Sequence, residues 1–256
     1  MSGRFFTHPV ARGIDIDDPG LITIRRRLLR QKIFLHKLYE EWYTLIKLNL
    51  ASNSSRIIEL GSGAGFLERL IPKVIKTDLF HLPFLHLVMD GLKPPIKAES
   101  IDAYTLLDVF HHLPDVNEFL REASRTLRIG GRIIMIEPWL SSWSRFVYST
   151  LNYEPIHPEM KDWKFESSGP LSGSNLALPW IVFFRDKEIF QNKYPQLRII
   201  RIQPMMPFRF LLSGGLSTWI NPPAFLYPMV KRFEAIFGKA LDKWGMFALI
   251  VLEKVK

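Results

Sequence analysis

The chain has 256 residues, of which 47% are hydrophobic and 23% charged, with no cysteine and a formal net charge of +9 at pH 7. This length allows one large domain or two small ones, the apolar share supports a full core, and the absence of cysteine excludes disulfides and thiolate metal sites. The charge favours anionic partners (nucleic acid, anionic lipid surfaces, acidic or phosphorylated substrates) or serves solubility alone.

In chain order, residues 1–20 read as irregular, and MSGRFFTHPV lacks the apolar core of a signal peptide. No apolar run approaches the roughly 18 residues of a membrane span, so a cytoplasmic protein, soluble or peripheral to a membrane, is expected. Asp17-Asp18-Pro19 predicts a helix start. A long basic helix is predicted over 22–50, with Leu28, Leu29, Ile33, Leu35, Leu38, Tyr39, Trp42 and Leu45 at helical spacings and Arg25, Arg26, Arg27, Arg30, Lys32 and Lys37 supplying charge. A turn at 51–55 follows. From 56 onward strands and helices alternate. Strands are predicted at 56–60, 73–77, 85–89, 101–107 and 132–136, a Gly-rich turn at 61–65, short and full helices at 66–71 and 116–127, and a turn at Gly130-Gly131. Such alternation predicts a parallel sheet with covering helices. After Glu137 the composition changes. Residues 139–180 read as an irregular insert, 181–192 as a helix, 197–203 as a strand, 208–223 as irregular, 224–244 as an amphipathic helix and 246–253 as a last strand. No linker composition appears, so the division expected is an N-terminal arm and basic helix at 1–50 and one domain at 51–256, with a cap formed by 139–180 and 208–245.

The segment that carries chemistry is Glu59-Leu60-Gly61-Ser62-Gly63-Ala64-Gly65-Phe66. Small residues let a backbone approach a ligand closely, and the N–H groups that follow attract negative charge. A dinucleotide-binding turn, G-x-G-x-x-G, would need glycine where Phe66 stands. The Gly61, Gly63, Gly65 spacing after an acid resembles the first motif of class I S-adenosylmethionine-dependent methyltransferases, in their small-molecule, "type 11"-like branch. Val88-Met89-Asp90-Gly91, the run 101–115 with Asp108 and His111-His112, and Leu127-Arg128-Ile129-Gly130-Gly131 resemble later motifs of that family in the same order. Ile129 stands where the family usually has proline. The resemblance implies an α/β fold: a Rossmann-like, seven-stranded, mostly parallel sheet with helices on both faces, its seventh strand antiparallel between the fifth and sixth. An N-terminal helix and an aromatic-rich cap formed by insertions would complete it. It also implies S-adenosylmethionine as cofactor and S-adenosylhomocysteine as product. Glu59, Gly61, Ser62, Gly63 and Gly65 would lie under the amino-acid end, Asp78 would bond the ribose hydroxyls, Asp90 and Gly91 would meet the adenine, and Asp108 would complete the set. Asp78 and Asp90 are too close in sequence for a full helix between the second and third strands, so the long N-terminal helix would have to cover that side.

For the acceptor, His111 and Glu137 are the candidate catalytic groups, with His157 a third; each is equally able to serve structure alone. Trp139, Trp143, Phe146, Tyr148, Tyr153, Trp163, Phe165 and Trp180, and later Phe208, Phe210, Trp219, Phe225, Tyr227, Phe233 and Phe237, read as a second small core, an apolar substrate pocket or a lipid-facing lid. Lys231, Arg232, Lys239 and Lys243 flank an apolar face that suits either an anionic membrane surface or solvent. His81 and His86 lack the spacing and carboxylate company of a metal site, and no metal is expected. O-methylation of a small-molecule, glycan or lipid-linked acceptor is the leading expectation. An RNA or other nucleic-acid methyltransferase and a non-catalytic cofactor-binding module are the alternatives. Against the first of these stands Asp108-Val109-Phe110-His111, which replaces the N/D-P-P-Y/F element of base-amine methylation; Asn221-Pro222-Pro223-Ala224 lies too far downstream to serve. Phe66 disfavours a dehydrogenase. Nothing in the sequence sets an oligomeric state.

Overall fold

A computed structural model describes residues 9–11, 13–151, 154–167, 169–216 and 218–256. Tyr153 and residues 1–8 and 12 of the N-terminal arm lie outside them. Seven strands form one sheet: β1 (Ile57–Leu60), β2 (Val74–Asp78), β3 (Leu87–Val88), β4 (Ile101–Leu107), β5 (Leu127–Pro138), β6 (Leu197–Met205) and β7 (Phe247–Lys254). Their order is β3-β2-β1-β4-β5-β7-β6. β7 runs antiparallel to both β5 and β6, and the remaining pairs are parallel.

Side-chain alternation divides the core between two faces. Ile58, Leu60, Tyr104, Leu106, Ile133 and Met135 pack with Phe119, Leu120 and Ala123 of α3 (Val116–Thr126) and with Ile181 to Phe183. Ile57, Ala103, Ile134, Ile136, Leu249 and Val251 pack with the N-terminal helices. β4 is buried on both faces along nearly its whole length, as a central parallel strand must be.

The predicted long basic helix is two helices, α1 (Pro19–Gln31) and α2 (Ile33–Leu48). α1 starts as predicted, with Pro19 in its first turn and the Asp18 carboxylate accepting from the Gly20 N–H at 2.7 Å. The break is at Lys32. Its backbone (φ −85°, ψ 86°) leaves the helix, and its buried ammonium donates to the carbonyls of Gly215 at 2.5 Å and Thr218 at 3.3 Å. Burial lowers the Lys32 pKa to about 8. α2 continues across the sheet with Leu35, Leu38, Trp42 and Ile46 facing inward. Between β2 and β3 there is no helix, as the short spacing predicts.

Other boundaries move for local reasons. The helix expected at 66–71 is a 3₁₀ turn, Leu67–Arg69. Gly130-Gly131 lies inside β5 and not between elements; β5 starts at Leu127, and its register against β4 slips between Ile101 and Ala103, a bulge that accommodates the glycines. The insert holds α4 (Ser142–Leu151). The helix expected at 181–192 is α5 (Leu178–Trp180), a π-turn (Ile181–Arg185) and α6 (Lys187–Lys193). Residues 208–223 include α7 (Arg209–Ser213), and the helix expected at 224–244 is α8 (Leu226–Ala235), a 3₁₀ turn (Gly238–Ala240) and α9 (Leu241–Trp244). Aromatics of the two cap segments meet, with Trp143 and Trp244 at 5.7 Å between centroids, and within the second segment Phe208 and Phe237 meet edge-on at 5.5 Å. These rings are half-buried or exposed and form an aromatic cluster at the surface of the cap. Beneath it Arg209, buried, pairs with Glu234 and with Glu41 of α2 at 2.7 Å, and so ties α7 and α8 to the N-terminal helices. Among the described residues no helix is long and apolar enough to cross a membrane.

Candidate functional site

The carboxyl ends of β1, β2, β3 and β4 open into one cavity of about 720 Å³, the edge where open α/β sheets bind ligands. β1 delivers Glu59 and Leu60 and then turns at Gly61, whose φ of +61° suits glycine. A Cβ there would sit 2.6 Å from a Val109 methyl. At Gly65 a Cβ would lie 2.1 Å from the Tyr43 hydroxyl. That hydroxyl instead accepts from the Phe66 N–H at 3.2 Å, while Arg26 donates to the Gly65 carbonyl at 2.6 Å. The turn is thus pinned from behind by both N-terminal helices. It is also tied to β2: the Ser62 N–H donates to the Thr77 carbonyl at 2.9 Å and the Gly63 N–H to the Asp78 carboxylate at 3.0 Å.

Glu59, Gly61, Ser62, Gly63, Gly65, Asp78, Asp90, Gly91 and Asp108 all line this cavity. Glu59 is buried, and its Oε2 has no hydrogen-bond partner among the described residues. Burial, only partly offset by Ser62, Lys76 and Arg26, pushes its pKa up to about 8. Asp78 is buried at the tip of β2. Burial raises its pKa despite the N–H groups of Gly63 and Phe80 that it accepts. Asp90 is exposed, with one oxygen accepting from the Leu92 N–H at 2.8 Å.

The turn after β4 is built around Glu137. This carboxylate is fully buried. One oxygen accepts from the N–H groups of Val109 and Phe110, both at 2.8 Å, and the other bonds His111 Nδ1 at 2.9 Å. Gripping two successive N–H groups holds Asp108 at φ +61°, outside the usual range for a non-glycine residue. Burial pushes the Asp108 pKa up to about 7, although His111 lowers it.

His111 does not have the free nitrogen that a general base requires. It is buried, its Nδ1 is held by Glu137, and its Nε2 lies 3.3 Å from the Glu154 carboxylate. Burial opposes its charge, but Glu137 and Glu154 raise its pKa well above the ordinary value. Glu137 reaches no cavity surface; its contacts make it the anchor of the turn. His157 is half exposed and pairs with Glu159 at 3.2 Å, away from the cavity wall. His112, in contrast, lines the cavity. Its Nδ1 bonds the Gly173 carbonyl at 3.1 Å, and burial together with its neighbour His111 lowers its pKa to about 4.

The other half of the cavity is mainly apolar, with Ile22, Leu35, Val147, Tyr148, Phe210 and Leu211 among its walls and Arg25, His112 and Glu154 as polar points. Tyr39, Tyr43 and Arg25 reach it from the N-terminal helices. Glu154 and Tyr148 come from the insert. Sequence reasoning read these only as helix faces or insert composition; Glu154, followed by proline in an aperiodic stretch, carries no local pattern that would mark it.

Residues 48–135 match the family described as Methyltransferase domain. No curated protein matches the chain in sequence. Among solved structures, a chain of the complex between the Haloferax volcanii Trm112 methyltransferase activator and a methyltransferase superposes with a TM-score of 0.52 at 12% identity, over 95% of this chain and 100% of that chain. Geranyl diphosphate C-methyltransferase from Streptomyces coelicolor A3(2), in complex with Mg²⁺, geranyl diphosphate and S-adenosyl-L-homocysteine, gives 0.51 at 13% identity, over 98% of this chain and 90% of that chain. At these identities the likeness is one of fold.

Proposed function

From the premise that residues 48–135 are a methyltransferase domain on a class I methyltransferase fold, we propose that the protein methylates an oxygen of a small amphiphilic or lipid-linked acceptor with S-adenosylmethionine. The observation that carries this reading is the convergence of the Gly61–Gly65 turn, Asp78 and Asp90 from successive strand ends on one cavity, beside the unpartnered oxygen of Glu59. That donor set fits the cofactor. A buried, partnerless carboxylate oxygen suits an ammonium group, an aspartate at a strand tip can accept from two ribose hydroxyls, and the glycine turn leaves no side chain in the way.

When bound, the cofactor supplies a methyl group already activated on a sulfonium. The chain then has to position the acceptor oxygen and keep water away. Leu35, Val147, Tyr148, Phe210 and Leu211 do the second, and Arg25, His112 and Glu154 present the polar features that would orient the first. Glu137 is a positioning residue, since it sets the Asp108–Phe110 turn. An amphiphilic acceptor is favoured by the apolar half of the cavity and by the surface beside it. Met229 and Phe233 of α8, with Phe225 and Ile236 at its two ends, are exposed at about one-turn intervals, and Arg232, Lys239 and Lys243 lie close in sequence, a composition suited to an anionic bilayer. The segment 211–220 links the two: Leu211, Leu216 and Ile220 line the cavity, while Leu212 and Trp219 are exposed.

The test is incubation of purified protein with methyl-labelled S-adenosylmethionine and a chloroform–methanol membrane extract. Label recovered in the organic phase, in a form stable to alkali as an ether is, supports the proposal. Label appearing only in added RNA, or none at all from any extract, contradicts it.

A further inference from the structure

His111, His112 and Glu154 make up a second centre that the donor-binding residues do not use. One ligand atom from each converges on a single point: His111 Nε2 is 3.3 Å and His112 Nε2 4.0 Å from Glu154 Oε2, and all three atoms lie within 4.8 Å of one another. Adjacent residues present both imidazoles on one side because they sit in the 3₁₀ turn Phe110–His112, with ring centroids 4.1 Å apart.

We propose that His111 Nε2, His112 Nε2 and the Glu154 carboxylate bind a first-row transition dication, Zn²⁺ foremost, at the wall of the acceptor half of the cavity. The geometry is close to what that ion needs. Bonds of roughly 2.0–2.1 Å in a tetrahedral site place ligand atoms about 3.3 Å apart, so the cluster would contract by less than about 1.5 Å at its widest. The ligand set, two imidazoles and one carboxylate, is that of a site with an open position, and imidazole selects such ions over Mg²⁺ or Ca²⁺, which prefer oxygen.

The surroundings supply a second, independent argument. Metal-bound histidines almost always give their other ring N–H to a carboxylate or a backbone carbonyl. Here His111 Nδ1 bonds Glu137 and His112 Nδ1 bonds the Gly173 carbonyl. Each ring thus has its Nδ1 engaged and its Nε2 turned towards Glu154, and a bound ion would displace the proton that His111 Nε2 shares with that carboxylate. The alternative grouping of Asp108, His111 and Glu137 would use His111 Nδ1, but the oxygens of Glu137 already serve Val109, Phe110 and His111. The negative field of Asp108, Glu137 and Glu154, which favours a proton on His111, favours a metal cation at the same place. Glu154 and His112 belong to the cavity wall, so the open position faces an acceptor. Oxygen-rich acceptors able to coordinate the ion are the ligand class this site would take.

The site stands whether or not S-adenosylmethionine binds, and its test is independent of methyl transfer. Tag-free protein stripped by chelator is titrated with Zn²⁺ against a chromophoric competitor, and separately loaded with Co²⁺ for visible spectroscopy. The expected result is one ion per chain and the strong visible bands of four- or five-coordinate Co²⁺. His112→Ala and Glu154→Gln should each weaken binding at least about tenfold, while His157→Ala leaves it unchanged. Sub-stoichiometric binding, or equal affinity in wild type, His112→Ala and Glu154→Gln, overturns the proposal and leaves His111 as an imidazolium held between Glu137 and Glu154. If His112→Ala fails to fold, Glu154→Gln and the wild-type Co²⁺ spectrum still decide.

Discussion

Glu59 is the residue whose protonation should change most when the donor binds. In the free protein burial holds its pKa near 8, so at neutral pH it is largely uncharged. An ammonium placed against its unpartnered oxygen would pull that value down, and binding would release a proton between about pH 4.5 and 8. The enthalpy of S-adenosylhomocysteine binding should therefore vary with the ionisation enthalpy of the buffer at pH 6.5, and affinity should rise with pH until about 8. A buffer-independent enthalpy would remove Glu59 from the site. The same raised value has a consequence for stability. A carboxylate with a folded-state pKa above its unfolded one favours folding fully below about pH 4.5 and loses that contribution as pH rises through 8. Asp78→Ala should weaken cofactor binding at least tenfold, because charge-assisted hydrogen bonds are worth about 1.5–3 kcal/mol each; calorimetry reads this directly. Gly61→Ala should lower stability by about 1–3 kcal/mol in denaturant titration, since it combines a positive φ with a clash against Val109.

At the scale of elements, α8 has two tasks that separate cleanly by mutation. Its inner side holds Glu234 against buried Arg209. Among the described residues, Glu234→Ala leaves the guanidinium with Glu41 and Tyr227 and should cost up to about 3–5 kcal/mol of stability in thermal or chemical unfolding. Its outer side carries Met229, with Ile236 just beyond its end. Met229→Asp with Ile236→Asp should leave stability nearly unchanged and abolish sedimentation with vesicles containing anionic lipid; retention of full binding would show that α8 is not the docking element. Element identity was largely legible from periodicity, and its limits have physical causes. β4 stands where its apolar run placed it. The helix break at Lys32 was invisible because no glycine or proline marks it; the partners that draw its ammonium away are carbonyls of Gly215 and Thr218. The break between α8 and α9 has a local mark, Gly238 at φ +45°, whereas the π-turn Ile181–Arg185 that divides 178–193 has no glycine or proline within it.

Across the whole molecule, the seven-stranded sheet and the antiparallel β7 between the fifth and sixth strands followed from motif resemblance, and the cavity follows from the strand order. The residues nominated for the donor share one cavity because strand ends of a parallel sheet share one edge. The acceptor side resisted reading for the opposite reason. Arg25, Tyr39 and Tyr43 arrive from α1 and α2, Tyr148 and Glu154 from the insert, and Phe210 from the segment before α8, so only the assembled fold brings them together. The surroundings of His111 were illegible on the same ground: its two carboxylate partners, Glu137 and Glu154, lie far from it in sequence. The most direct measurement of the central claim is calorimetric titration of the wild-type chain and Asp78→Ala with S-adenosylhomocysteine, with NAD as the comparison. The account predicts saturable one-to-one binding of S-adenosylhomocysteine, clearly weakened in the variant, and no heat from NAD. No binding of S-adenosylhomocysteine, or equal affinity in wild type and Asp78→Ala, would contradict it.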